Sequence, residues 1–150
     1  MAETKVNYTE SDILPRMWQA NSDAFTGFAS GSPAWTAVQV PDLLISGITV
    51  KTAMLAEIIS MVTVDRGVGG SEQDCQIVYR VNGGAWVSLK SPVHNLIASA
   101  TENFTTNMTL ATAPLTPGNT YDFRTTFSCG IVGTITVRAR QMTVKTFLAG

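Results

Sequence analysis

The residues able to do chemistry are few and scattered. The chain holds one histidine, His94, and imidazole is both the usual proton carrier near neutral pH and the commonest metal ligand. No Cys, Asp or Glu stands beside it at metal-ligand spacing, and a zinc site needs three or four ligands. A Ser–His–Asp triad assembles in space, so distance along the chain does not exclude one, but a Gly-x-Ser-x-Gly elbow is missing from the sequence. The eleven Asp and Glu could supply the paired carboxylates of a glycosidase. The densest group is Asp65, Glu72 and Asp74 before Cys75. Calcium loops carry closer-set carboxylates, and this group reads as a solvated loop. The run Asp65-Arg66-Gly67-Val68-Gly69-Gly70-Ser71 lacks the Lys-Ser/Thr of a phosphate-binding loop, and no helical pattern follows it. Arg138 and Arg140 share a strand face with Arg124 within reach. That face is either solvated or turned to an acidic partner. No enzyme, cofactor or metal is expected from this inventory.

Composition points the same way. The chain has 150 residues, enough for one domain with a real core, and 45% of them are hydrophobic. Only 14% are charged, against about 25% in an average soluble protein. A surface so poor in charge suits a protein whose faces are covered by partners. The net charge is −1, and the Lys and Arg form no block. Nucleic-acid binding through phosphates is therefore not expected. No apolar stretch approaches the ~20 residues that span a bilayer, so no membrane is expected. The start, Met1-Ala2-Glu3-Thr4-Lys5, has no apolar signal core. The chain is expected to be complete and intracellular at synthesis, with Cys75 and Cys129 as free thiols in a reducing compartment.

The elements that would position these residues are strands. Residues 1–42 carry Pro15, Pro33 and Pro41 and four unperiodic aromatics, Trp18, Phe25, Phe28 and Trp35. They read as an extended arm, with room for a short helix over Asp12 to Ala20. Such an arm is ordered only when tied down, on its own domain or on another subunit. From Leu43 the chain reads as strands and turns at sandwich spacing, giving a domain over 43–150. Met54 to Val64 is apolar on both faces: Met54, Ile58 and Val62 on one, Leu55, Ile59 and Met61 on the other. The second face then needs a cover, supplied by a neighbouring subunit or by the arm. These six are the subunit-interface candidates. Cys75 to Leu89 is a hairpin about Asn82-Gly83. A common face for Tyr79 and Val87 requires a three-residue loop through Gly84, which also sets Arg80 opposite Trp86 as a cation–π pair. Val93 to Ala100 reads as a short strand or a helical turn, and Phe104 to Leu110 as a Thr-rich strand. Tyr121 to Phe127 alternates aromatic-in and polar-out. Thr134 to Leu148 changes apolar parity, which marks a bulge near Arg140-Gln141. A bent strand of this kind can carry the chain from one layer to the other.

Two stretches, Leu115-Thr116-Pro117-Gly118-Asn119-Thr120-Tyr121-Asp122-Phe123-Arg124 and Gly133-Thr134-Ile135-Thr136-Val137-Arg138-Ala139-Arg140-Gln141-Met142-Thr143-Val144, together with the Tyr79–Trp86 hairpin, carry a resemblance. Residues 43–148 resemble TNF/C1q-like jelly-roll modules of tailed-bacteriophage virion proteins, including head decoration (cement) proteins and fibre tips. The resemblance implies an all-β, jelly-roll-like antiparallel β-sandwich with an extended N-terminal arm. It implies a homotrimer on a three-fold axis that binds the major capsid protein of a virion, without catalytic residues. Trp18, Phe25, Phe28, Trp35, Arg138 and Arg140 are the capsid-contact candidates under that reading. The alternative is a receptor- or glycan-binding tip module, with Trp86, Trp35 and Tyr79 stacking on sugar.

Overall fold

The computed structural model describes residues 13–24, 26–29, 36–65, 72–89, 93–96, 104–130 and 134–150. They form β1 (Arg16–Ser22), β2 (Thr26–Ala29), β3 (Val38–Thr49), β4 (Met54–Asp65), β5 (Glu72–Val81), β6 (Val87–Ser88), β7 (Val93–Leu96), β8 (Phe104–Leu115), β9 (Thr120–Cys129) and β10 (Thr134–Leu148). One sheet runs β1-β10-β4-β8, with β2 also on β10. The other runs β3-β9-β5-β6, with β7 also on β5. β1 and β2 follow one another along one side of β10, and β6 and β7 do so along β5. Each couple counts as one interrupted strand, which leaves eight. The first pairs with the last (β1/β2 with β10), the second with the seventh (β3 with β9), the third with the sixth (β4 with β8) and the fourth with the fifth, every pair antiparallel. That nesting is an antiparallel jelly-roll sandwich: the strand spacing predicts the sandwich, and the resemblance implies the jelly roll.

The core lies between the sheets. Ala56, Ile58, Val62 and Val64 of β4, Val137, Met142 and Val144 of β10 and Ala113 and Leu115 of β8 face Leu43, Ile48, Ile77, Phe123 and Phe127 of the other layer, all buried. One polar bridge crosses it. The Ser60 and Thr125 hydroxyls meet at 2.6 Å, and Thr125 also reaches Met142 Sδ at 3.6 Å. The inward set of β9 is as expected, with Tyr121, Phe123, Thr125 and Phe127 buried, but its polar side is covered too: Asp122, Thr126 and Ser128 are also buried. β9 sits between β3 and β5, and period two cannot report a cover over the second face.

Several expectations change. Arg16–Ser22 is a strand and not a helix: pairing with β10 places Trp18 opposite Val144 and Ala20 opposite Met142, against the core. Tertiary burial overrides the local preference. The described strands of the expected arm, β1 and β2, thus lie on an edge of the sandwich, and the 42/43 boundary falls inside β3. Val93–Leu96 takes the strand option. The bulge in β10 is present, between Val137 and Arg140. The strand does not change layers there; it keeps β4 as its partner on both sides of the irregularity.

Candidate functional site

Alternation along β4 divides the six interface candidates. Met54, Ile58 and Val62 are buried in the chain's own core, so they have no surface to offer a subunit. Leu55, Ile59 and Met61 point outward, and Leu55 and Met61 are exposed. Register builds a face around them. Leu55 lies between Phe147 of β10 and Pro114 of β8, Ile59 between Thr143 and Leu110, and Met61 between Gln141 and Met108. Phe147, Leu110 and Met108 are exposed too, Met108 to 69%. Ile59, Met61, Met108, Gln141 and Thr143 line a shallow hollow. One charged row crosses this face, with Glu57 opposite Lys145. Sequence reasoning named Leu55, Ile59 and Met61 of this outward face and missed Met108 and Leu110 of β8 and Phe147 of β10. The signal was present: β8 turns small Ala111 and Ala113 inward and large Met108 and Leu110 outward. An outward apolar stripe of this kind makes the face a candidate contact surface.

The capsid-contact candidates among the described residues do not gather at one place. Trp18 is half-buried against the core. Phe28 pairs through its backbone with Ile135, while Phe25 and Trp35 lie outside the described residues. Arg138 is exposed. Arg140 is only 1% exposed and cannot touch a partner. The bulge explains this, because one extra residue before Arg140 re-aims its side chain inward. There Nε donates to Pro41 O at 2.8 Å, and Nη1 donates to Ala24 O and Arg138 O, each at 2.8 Å. Nη2 donates to Thr26 Oγ1 at 2.9 Å and forms a short ion pair with Asp42. Asp42 has φ 63°, a left-handed conformation that Asp tolerates better than most residues. One guanidinium thus ties β2, the bulge in β10 and the kink in β3 together.

A second cluster lies on the outer face of the other sheet. Trp86 meets Arg80 at 4.7 Å, as the hairpin register predicts, and also Arg124 at 4.0 Å. Arg80 Nε donates to Asp122 Oδ2 at 2.7 Å, and the Gly47 N–H donates to Asp122 Oδ1 at 2.9 Å. Burial alone would raise the Asp122 carboxyl. The Gly47 N–H and the Arg80 guanidinium outweigh it and hold the group below its ordinary value. The hairpin reaches its register by an unexpected route. Gly84 N donates to Val81 O at 2.9 Å, with Asn82 and Gly83 at φ 51° and 72°, so the turn itself has two residues. The extra residue enters after Gly84, because Tyr79 still pairs with Val87. Tyr79 stacks on Phe123 at 6.2 Å between ring centroids.

Three of the chemical candidates share one cross-strand row, but not in the order of a triad. His94 sits on β7 opposite Asp74, which lies opposite Ser128 of β9. The carboxylate is in the middle of that row, so hydroxyl and imidazole belong to strands two steps apart, about 10 Å by sheet spacing. A triad instead places the imidazole between the other two groups. Glu72 and Asp74 are both on β5 and Asp65 ends β4, while residues 66–71 lie outside the described residues. Cys75 and Cys129 are both buried and are not joined by a disulfide. Burial, with the Asp74 charge adding to it, pushes the Cys75 thiol up to about 12. No group of three or more His, Cys, Asp or Glu able to hold a metal is found among the described residues.

No protein-family model matches this sequence, and no curated protein does. Solved structures do. A structure of infectious bursal disease virus, Gx strain, superposes with a TM-score of 0.56 at 12% identity, over 100% of this chain and 37% of that chain. The Gt strain gives 0.58 at 12%, over 99% and 37%. The VP2 subviral particle of the same virus gives 0.56 at 14%, over 99% and 36%. This chain spans little more than a third of the length of those chains. At such identity the likeness is one of fold alone, the jelly-roll sandwich described above.

Proposed function

We propose that this chain is a structural protein of a virus particle, working through surfaces and without catalysis. Its finer role under this reading is that of a trimeric decoration protein on a phage capsid lattice, located on the virion and in contact with the major capsid protein. The observation that carries the proposal is the outward apolar face of β4 and its neighbours: Leu55, Ile59, Met61, Met108, Leu110 and Phe147. A single chain leaves these side chains in water, and copies of itself or a lattice would cover them. The jelly-roll fold shared with capsid proteins and the 14% charge content support the same reading. The glycan-tip alternative draws no support from Tyr79 and Trp86, which are committed to Phe123 and to two guanidinium groups.

Light scattering of the purified protein tests self-association, with three chains or a multiple of three expected. Leu55→Glu should lower the mass without changing the far-ultraviolet circular dichroism, because Leu55 packs outside the core. A stable wild-type monomer at micromolar concentration overturns the trimer. Antibody raised against the chain should label intact particles of the virus that encodes it, and unlabelled particles would overturn the surface role.

A further inference from the structure

β8 ends its sheet: it pairs with β4 and, among the described residues, with no strand on its other side. A free edge presents a row of unpaired N–H and C=O groups, and proteins guard such edges with charge, bulges, proline or brevity. The other edges here carry those guards. β3 holds Pro41 and Asp42 and two register shifts, β6 has two residues, and β1 is short and polar beyond Ala20. β8 has almost none. It runs Phe104-Thr-Thr-Asn-Met-Thr-Leu-Ala-Thr-Ala-Pro-Leu115 without one charged residue, and its proline is next to last. Its pairing with β4 runs through twelve residue pairs without a shift, so the edge is long and regular. Two of its outward side chains, Met108 and Leu110, are 69% and 48% exposed.

We propose that β8 is a pairing edge that joins a second copy of this chain, antiparallel, about a two-fold axis. The choice of a second copy rests on self-complementarity. Thr109, Ala111, Ala113 and Leu115 face the core, and Thr106, Met108, Leu110, Thr112 and Pro114 face out. Residues opposite one another in a sheet share a face, so the joined strands keep one inner and one outer face only if paired numbers sum to an even value. A sum of 218 sets Met108 against Leu110 of the second copy, Leu110 against its Met108, and Thr106 against its Thr112. That register covers both exposed apolar side chains at once. Sums of 216 and 220 set one of them against itself and the other against threonine. No like charges meet in any of the three. The pairing rests on sheet order and edge chemistry, not on the virion reading, and a two-fold edge contact is distinct from a three-fold contact through the outer face.

The register makes the test specific. Met108→Cys and Leu110→Cys proteins, mixed and mildly oxidised, should give a crosslinked dimer, and neither variant alone should do so as readily. Buried Cys75 and Cys129 leave the background quiet. Leu110→Lys places a charge on the edge at an exposed position, so the domain should stay folded by circular dichroism while the mass by sedimentation halves. Amides of residues 106–112 should exchange with deuterium at least tenfold faster in that variant. A mass unchanged by Leu110→Lys, or crosslinking no greater in the mixture than in the single variants, overturns the proposal. Leu110 also lies on the outer apolar face, so the mixed-cysteine crosslink separates the two contacts: a mass lowered by both Leu110→Lys and Leu55→Glu without that crosslink belongs to the outer face and overturns the edge pairing.

Discussion

Arg140 and Asp122 are the two residues whose surroundings demand a charge. Arg140 supplies donors to three backbone carbonyls, one hydroxyl and one carboxylate. Its removal leaves three part-buried carbonyls without that donor, toward the lower end of the roughly 1–3 kcal/mol each that an unsatisfied buried group costs. Arg140→Met should therefore cost roughly 3 kcal/mol or more, read as a lower urea midpoint with an unchanged slope. Arg140→Lys should recover little, because an ammonium cannot reproduce the planar fork that meets several acceptors at once. Asp122 gives a pH signature. Its folded-state value is depressed, so its contribution is present above the ordinary carboxyl range near 4 and is lost as pH falls through the lower folded value. Wild type should lose stability on acidification through that window, and Asp122→Asn should be less stable at pH 7, by about 1–2 kcal/mol, with a flatter acid limb. Thermal melts from pH 2 to 7 would show both, and parallel acid limbs would contradict the assignment.

Elements were legible where a period or a turn residue carried them. Asn82-Gly83 announced the hairpin, and its positive φ values explain why. Gly83→Val should destabilise by about 1–2 kcal/mol, since a β-branched residue is strained at φ 72°; a thermal melt indistinguishable from wild type would refute the role of that turn. The parity change in the last strand gave the bulge to within two residues. The inward use of Arg140 was not legible, because its acceptors come from residues 24, 26, 41 and 42 and nothing local marks them. β1 was hidden for a similar reason. Trp18 and Ala20 alternate over too short a stretch to reveal a strand, and only β10, more than a hundred residues away, makes one of them. On β4 the two-sided apolar pattern showed that both faces are used but not which one is the core. The neighbours decide that, and β8 and β10 place the even-numbered residues inside.

At the scale of the whole molecule, the first strand belongs to the sandwich. Deleting residues up to 29 should strip β1 and β2 from β10 and uncover Val144 and Met142. The truncated domain should melt well below the full chain, or not fold, by calorimetry. An unchanged melt would mean that the segment is a detachable arm. Nested pairing also has a temporal side. β10 lies in the middle of its sheet, between β1/β2 and β4, yet the ribosome makes it after all of them. The growing chain must hold three partner strands in waiting until their shared centre emerges, and closure over such long separations in sequence is slow. During that interval the uncharged β8 edge is the stretch most exposed to the wrong neighbour, so the same segment that would join finished copies also sets how crowded their synthesis can be.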